Sequence, residues 1–470
     1  MIEQWVDTLN GYLWNDILIY VLIGCGIWFS LRLKGIQFTR FIHMFSVLKM
    51  STQSSSQGIS SFQALCTTLA ARVGTGNLMG VAVAISLGGA GAVFWMWVIA
   101  FLGMATAFVE SALAQLYKEK GENGEFRGGP AYYMRKGLNS KAMAITFSLC
   151  LFFGYGFVFS AVQANSIAQA FQGSFGFEPL HTGIVITIVA TAIILGGLRQ
   201  IARFAEITVP FMGLAYVLVV GAVLIINIEH VPAIFYSIIA SAFGLEEVVG
   251  GVFGAALQGI KRGLYSNEAG MGSSPNAAAA AVPYPPHPVS QGFIQMLAVF
   301  FDTIVICSCT AFVILLAKGS VNSAEGIQLT QQALALQVGD WGREFISFAI
   351  LVFGFTSIVA NFAYADNNLK YIKLDHFIGR WFLRIGFLVM LVIGSQATLT
   401  QVIALADLSV AMMTLVNVTA IILLTKAIVY ITRDYDKQLA SGHIPTFGVD
   451  RQKELELGLT EGIWSKRDKS

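Results

Sequence analysis

The sequence predicts an all-helical, polytopic membrane protein, and three observations carry that prediction. Its 470 residues are 56% hydrophobic and only 12% charged, a balance that would aggregate in water. Eleven apolar runs, most near the roughly 20 residues a helix needs to cross a bilayer, alternate with charged or Gly/Pro-rich segments. Two of these runs carry related, glycine-interrupted sequences that would cross the membrane in opposite directions.

The runs lie near residues 15–33, 58–87, 91–117, 141–171, 180–196, 205–228, 248–280, 289–317, 344–366, 377–396 and 401–428. The first is expected to stay in the membrane. Glu3 and Asp7 precede it where a cleavable signal would be basic, and no small-residue cleavage site follows. With the N-terminus outside, sixteen of the 29 Lys and Arg fall in or beside cytoplasmic loops and eight in the tail from Lys426 onward. The outer loops hold only Lys318 and Arg343, together with Glu229, Glu246 and Glu247. Positive loops face the cytoplasm, so a cytoplasmic C-terminus and a place in the cell (inner) membrane are expected. A net charge of +2 leaves no basic surplus for nucleic acid. The five cysteines sit in apolar stretches without ligand or disulfide spacing and read as small core residues.

Three basic residues remain inside spans: Arg72, Lys261 and Arg262. A charge there costs ~2.5–3.5 kcal/mol on insertion scales and needs a cavity or a partner. Glu110, Glu268 and Asp302, also in apolar runs, are the candidate partners. Such charges either lock helices together or serve gating and proton coupling, and the sequence leaves both readings open.

Arg72-Val-Gly-Thr-Gly-Asn-Leu-Met-Gly80 aligns without gaps on Arg262-Gly-Leu-Tyr-Ser-Asn-Glu-Ala-Gly270, at an offset of 190 residues. Each Gly costs about 1 kcal/mol relative to Ala inside a helix, so both helices are expected to break. A break within a bilayer is tolerated only where the freed backbone lines a cavity. N–H groups near Asn77 and Leu78 would then hold a carboxylate, and carbonyls around Ala70, Val73 and Gly263 would hold cations. Close helix packing is the competing explanation for the glycines. The substrate-binding set read from the two breaks is Thr75, Gly76 and Asn77 with Gly263, Ser266 and Asn267. Arg72, Glu110, Arg262, Glu268 and Asp302 form the coupling or gating set.

Gly74-Thr75-Gly76-Asn77-Leu78-Met79-Gly80-Val81-Ala82, the run Gly88 to Trp97, Phe126-Arg127-Gly128-Gly129-Pro130-Ala131-Tyr132-Tyr133-Met134 and Tyr265-Ser266-Asn267-Glu268-Ala269-Gly270-Met271-Gly272 resemble the alanine or glycine:cation symporter family. Ala90 departs from the pattern, which has Pro there. The resemblance implies a five-plus-five inverted repeat of the bacterial leucine-transporter type, with discontinuous helices and one extra N-terminal helix. The chain would then divide into residues 1–57 (extra helix and basic linker), 58–228 and 229–428 (the two repeats), and 429–470 (charged tail). It further implies a co-transported sodium ion on the carbonyls of Ala70, Val73 and Phe353 and the hydroxyls of Thr356 and Ser357. Hydroxyls bonding back to their own helix would explain the last two equally well without the resemblance.

In span 4, Gln163 is the candidate side-chain ligand, with interhelical hydrogen bonding as the alternative. Phe159, one turn earlier on the same face, is a candidate wall against larger substrates. Trp95, Trp97, Tyr132 and Tyr133 read as interfacial belt residues. An enzyme would need a nucleophile–base or metal motif in context, and a channel would need a pore-lining ring. The sequence offers neither. The expectation is therefore a non-enzyme without organic cofactor, a sodium-coupled symporter of a small neutral amino acid (alanine, glycine or serine) in a lipid bilayer, with proton coupling as the alternative.

Overall fold

The computed structural model describes residues 2–51, 58–121, 124–194, 197–245, 251–317 and 325–465. Glu246, Glu247 and Lys318, which the charge count placed on the outer side, lie outside the described residues.

The helices run in chain order as α1 (Gln4–Arg32), α2 (Phe41–Met50), α3 (Ser61–Arg72), α4 (Gly76–Gly88), α5 (Gly91–Leu116), α6 (Pro130–Gly137), α7 (Lys141–Phe175), α8 (Pro179–Ile194), α9 (Ile201–Ile226) and α10 (Ile228–Ala242). They continue as α11 (Gly251–Asn267), α12 (Pro275–Ala280), α13 (Pro288–Leu316), α14 (Ile327–Val338), α15 (Trp341–Tyr371), α16 (Phe377–Gln396), α17 (Leu399–Leu423), α18 (Thr425–Ala440) and α19 (Arg451–Leu457). Among the described residues eight of these are long and apolar enough to cross a membrane, and nine if α3 and α4 count as one bent span. The fifth and seventh expected spans correspond to α8 and α11, which are shorter, with α11 ending at a break.

Burial sorts the helices into an inner bundle and an outer ring. Every residue from Gly103 to Leu116 in α5 and from Phe353 to Ala365 in α15 is buried. By contrast, α9 and α16 expose large apolar side chains such as Phe211, Leu214, Leu218, Ile378 and Phe382, as helices do when hydrocarbon is the solvent. The broken pairs α3/α4 and α11/α12 lie side by side, packed by α5, α13 and α15, and α7 reaches them through Gln163 and Phe159. The tyrosines of α6 depart from expectation: Tyr132 and Tyr133 are buried, and Tyr133 Oη donates to Asn417 Oδ1. Their motif turns the short helix inward, so they are not belt residues.

The two faces of the bundle are closed differently. On the face where α1 begins, Asn10 Nδ2 donates to the Ala404 carbonyl at 2.9 Å. On the opposite face, β1 (Ile59–Ser60) pairs in parallel with β4 (Ala281–Val282), joining the lead-in of the first broken helix to the exit of the second. Beside them β2 (Glu119–Lys120) pairs antiparallel with β3 (Phe126–Arg127). The C-terminal segment lies across this face. Trp464 Nε1 donates to the Gln115 carbonyl at 3.2 Å, and Thr460 Oγ1 to that of Lys118 at 2.9 Å.

Candidate functional site at two broken helices

The first break is specified locally. A capping box starts α3, in which Ser60 and Gln63 exchange side-chain and backbone hydrogen bonds, each 3.0 Å long. The helix stops at Val73, whose backbone is extended, and the chain turns by 52° before α4. Glycine is needed here for space. A Cβ on Gly74 would sit 2.5 Å from Ser357 Oγ and 2.9 Å from Gln163 Oε1, and one on Gly76 would sit 3.0 Å from Ser266 Cα.

Side chains from other helices occupy the polar groups that the break frees. Gly74 N–H donates to Asn77 Oδ1 at 3.0 Å, and Thr75 N–H to Gln163 Oε1 at 3.1 Å. The Asn77 N–H instead closes a turn onto the Gly74 carbonyl at 3.3 Å. The amide pair with side-chain acceptors is therefore Gly74–Thr75, three residues earlier than Asn77–Leu78. Gln163 is brought onto this backbone directly, where both its readings meet.

The second break lies later than the repeat alignment implied. α11 runs unbroken through Gly263 and Ser266 to Asn267, and the chain turns at Glu268, Gly270 and Gly272, all with positive φ. Gly263 is thus a packing glycine. A Cβ there would meet Ile99 at 2.5 Å, and its carbonyl belongs to an intact helix. Asn267 Oδ1 caps the Ala269 N–H at 3.0 Å, while Ser266 faces the first break.

Four of the five residues assigned to the cation, all but Val73, are brought into contact. Thr356 Oγ1 lies 2.9 Å from the Phe353 carbonyl oxygen and 3.4 Å from that of Ala70. Ser357 Oγ lies 2.9 and 2.8 Å from the same two oxygens. Two hydroxyls and two carbonyls from α3 and α15 thus face one another in a buried spot, and the two contacts with Phe353 are also the bonds to their own helix that the alternative reading expects. An all-oxygen set suits a hard cation.

Asp302 forms a second polar centre. Its Oδ2 accepts from Ser266 at 2.6 Å and Thr303 at 2.7 Å, and its Oδ1 from Asn77 Nδ2 at 2.8 Å. It is fully buried and forms no salt bridge among the described residues. Its segment, Phe300–Cys307, is π-helical, a local widening that often marks functional positions.

The charges inside spans pair differently from expectation. Arg262 grips both carboxylate oxygens of Asp407 at 2.8 and 2.6 Å, and Lys261 reaches the same group at 2.9 Å. Asp407, on α17, was not among the expected partners. Arg72 donates to the Gln295 carbonyl at 3.3 Å, leaving Nε and Nη2 without hydrogen bonds. Glu110 accepts from Asn417 at 2.9 Å and Glu268 from Ser273 at 2.6 Å. None of Glu110, Glu268 and Asp302 makes a salt bridge with a stranded base among the described residues.

Phe159 and Tyr265 stack with ring centroids 5.4 Å apart, and Tyr155 continues the stack at 4.7 Å. Tyr265 Oη lies 3.4 Å from Thr75 Oγ1, so the aromatic column abuts the first break. A cavity of about 190 Å³, lined by Met79, Asn165, Ser166, Gln169, Glu325 and Gln328 among others, lies beside α4 and α7. Asn165 itself turns away to bond the carbonyls of Gly394 and Ala397.

Comparison with known proteins gives this geometry a context. The chain is 45% identical to an uncharacterized transporter, YaaJ, of Escherichia coli, over 97% of each chain. It is 44% identical to a probable sodium/glutamine symporter, GlnT, of Bacillus subtilis, over 96% of this chain and 94% of the relative. It is 36% identical to the sodium/alanine symporter AgcS of Methanococcus maripaludis, over 92% and 97%. The family model described as the sodium:alanine symporter family matches residues 1–449. Two broken helices with buried oxygen donors between them, in a bundle with lipid-like exposure, thus occur in a chain that belongs to the sodium:alanine symporter family.

Proposed function

We propose that the protein carries a small neutral amino acid, alanine or glycine, into the cell together with sodium, by alternating access. The observation that carries the reading is the meeting of the Thr356 and Ser357 hydroxyls with the Ala70 and Phe353 carbonyls. These four oxygens, of a kind that suits a hard cation, lie next to the Gly74–Thr75 break, which supports the reading. The substrate carboxylate sits on the amides of that break, displacing the Gln163 carboxamide, which then turns to hold the substrate. Ser266, Asn77 and Asp302 face the amino group, and the Phe159–Tyr265 stack limits side-chain size. In this reading eleven spans form five-plus-five inverted repeats, with the N-terminus outside and the C-terminus in the cytoplasm. Ion and substrate are then coupled because both order the same break.

A second reading is proton coupling, favoured by one observation: Asp302 is a buried carboxylate held by neutral donors only. Uptake of labelled alanine, glycine and glutamine into proteoliposomes, under an imposed sodium gradient or an imposed proton gradient, decides between them. Sodium-driven accumulation of alanine or glycine is expected. Accumulation under the proton gradient alone overturns the sodium assignment, and sodium-driven uptake of glutamine in preference to alanine overturns the size assignment.

A further inference from the structure

We propose that the face carrying the C-terminal segment holds a specific site for the phosphate headgroup of an anionic phospholipid, between the ends of α1 and α18. The inference rests on the membrane-spanning fold alone and is independent of the transport reading.

A cavity of about 580 Å³ opens there, and its lining brings together Arg32, Lys426, Arg433, Lys437, Tyr430 and Asp434. The four cations come from chain segments nearly four hundred residues apart. Arg32 is the last residue of α1, whereas Lys426, Tyr430, Arg433 and Lys437 recur on one face of α18. The opposite face of α18, with Ala427, Ile428, Ile431 and Tyr435, is buried against the bundle. The basic stripe is therefore fixed in place by packing.

None of the four cations makes a salt bridge among the described residues. The one carboxylate in the cavity, Asp434, is already engaged, accepting from Gln438 Nε2 at 2.8 Å and lying 3.2 Å from His287 Nε2. The His287 contact first, then that of Gln438 and the nearby Lys437 charge, hold its carboxyl below the usual range. The cavity thus keeps a strong positive excess.

Its position selects a lipid over a free anion. Trp28 Nε1 donates to Thr425 Oγ1 at 3.1 Å, and the Arg32 guanidinium lies 5.0 Å from the centre of the Trp28 ring. The end of α1 is thereby tied to the start of α18 at the level where both leave the apolar layer. Immediately on the apolar side, Ile27, Trp28 and Leu31 of α1 and Ile422 and Leu423 of α17 are exposed. A phosphodiester in the cavity would have its acyl chains running along that surface. Basic pockets between helix ends recognise anionic headgroups in this way.

The test is a lipid titration of the detergent-purified full chain, read by native mass spectrometry. Phosphatidylglycerol is expected to bind more tightly than phosphatidylcholine. Each neutralised cation weakens phosphatidylglycerol about 5-fold, so Arg433→Gln/Lys437→Gln loses roughly 25-fold and leaves phosphatidylcholine unchanged. Arg32→Gln/Lys426→Gln serves as a second, independent pair, and Lys373→Gln, an exposed base elsewhere, as a control that keeps full affinity. Equal affinity for the two lipids overturns the proposal, as does a double variant that behaves like the control. Displacement of phosphatidylglycerol by millimolar inorganic phosphate also overturns it, by assigning the site to a soluble anion.

Discussion

Ser357 Oγ stands 2.8 Å from the Ala70 carbonyl oxygen, the last polar contact between α15 and α3 before the chain breaks at Val73. One hydroxyl thereby joins the helix that carries the proposed cation site to the backbone that carries the proposed carboxylate site. Replacing Ser357 or Thr356 by Ala is expected to raise the sodium concentration for half-maximal uptake roughly tenfold, the loss of about 1.4 kcal/mol of binding, with little change in protein abundance. Uptake measured against sodium concentration checks this. An unchanged sodium dependence in both variants moves the coupling ion elsewhere.

Phe159 is stacked on Tyr265, so its truncation should open the proposed substrate site toward larger side chains. Exclusion by a close-packed wall costs a larger ligand typically ~1–3 kcal/mol, outweighing the ~0.8 kcal/mol that each added methylene gains on burial. Phe159→Ala is expected to let valine or leucine compete with alanine uptake while weakening alanine itself. A variant with the wild-type preference would place the wall elsewhere.

Asp407 holds two cations at once, and removing it strands both. Breaking a buried ion pair on one side costs about 3–5 kcal/mol. Asp407→Asn should therefore lower the melting temperature of the purified protein markedly. The triple change Asp407→Leu/Lys261→Met/Arg262→Met, which removes the charges together, should recover most of it. Equal stability of wild type and Asp407→Asn would show that the pairing contributes nothing.

Lys118 gives a pH dependence with a definite sign. It lies just past the end of α5, almost wholly buried, and burial pushes its ammonium down to about 7 from 10.5. Its Nζ donates to Gln115 Oε1 at 2.8 Å and to the Ala281 carbonyl at 3.1 Å. The Phe126 ring, 4.0 Å away, and the Trp464 ring, 5.1 Å away, offset part of the cost of its charge. Between those two pH values the unfolded chain binds a proton that the folded chain lacks, so stability rises with pH. Below about 7 the burial penalty is fully present. The melting temperature should climb from pH 7 to pH 9 in the wild type, and Lys118→Met should flatten that slope. Identical slopes would exclude Lys118 as its source.

Much of this site could be read from composition and short motifs, and the reason is specific to membranes. A glycine cluster or a charge in an apolar run is costly in hydrocarbon, so Gly74, Gly76, Arg262 and Asp302 stand out without any structure. Position along a helix was less legible. Gly263 and Gly270 lie in one glycine-rich stretch, but only the backbone shows that the first packs on Ile99 and the second turns at φ +90°. Pairing across the fold was not legible at all. Asp407 is as conspicuous in its apolar run as Asp302, but nothing in the sequence ties it to Arg262, 145 residues away. The burial of Tyr132 and Tyr133 was hidden for a similar reason, because aromatic composition does not say which way an eight-residue helix turns.

Under the proposed alternating access, the short pairing of β1 with β4 is a contact that is cheap to undo. Only two residues on each side take part, Ile59 and Ser60 with Ala281 and Val282, and the Gln115 side chain steadies the second strand by donating to the Ala281 carbonyl at 2.8 Å. A net contribution of about 0.5–1.5 kcal/mol per hydrogen bond makes this clasp worth only a few kcal/mol. It joins the two broken helices alongside the Asn77–Ser266 contact, so under the proposed transport the free energy of binding one small solute and one ion would be of the size needed to undo it. In that reading a longer ladder here would slow the cycle.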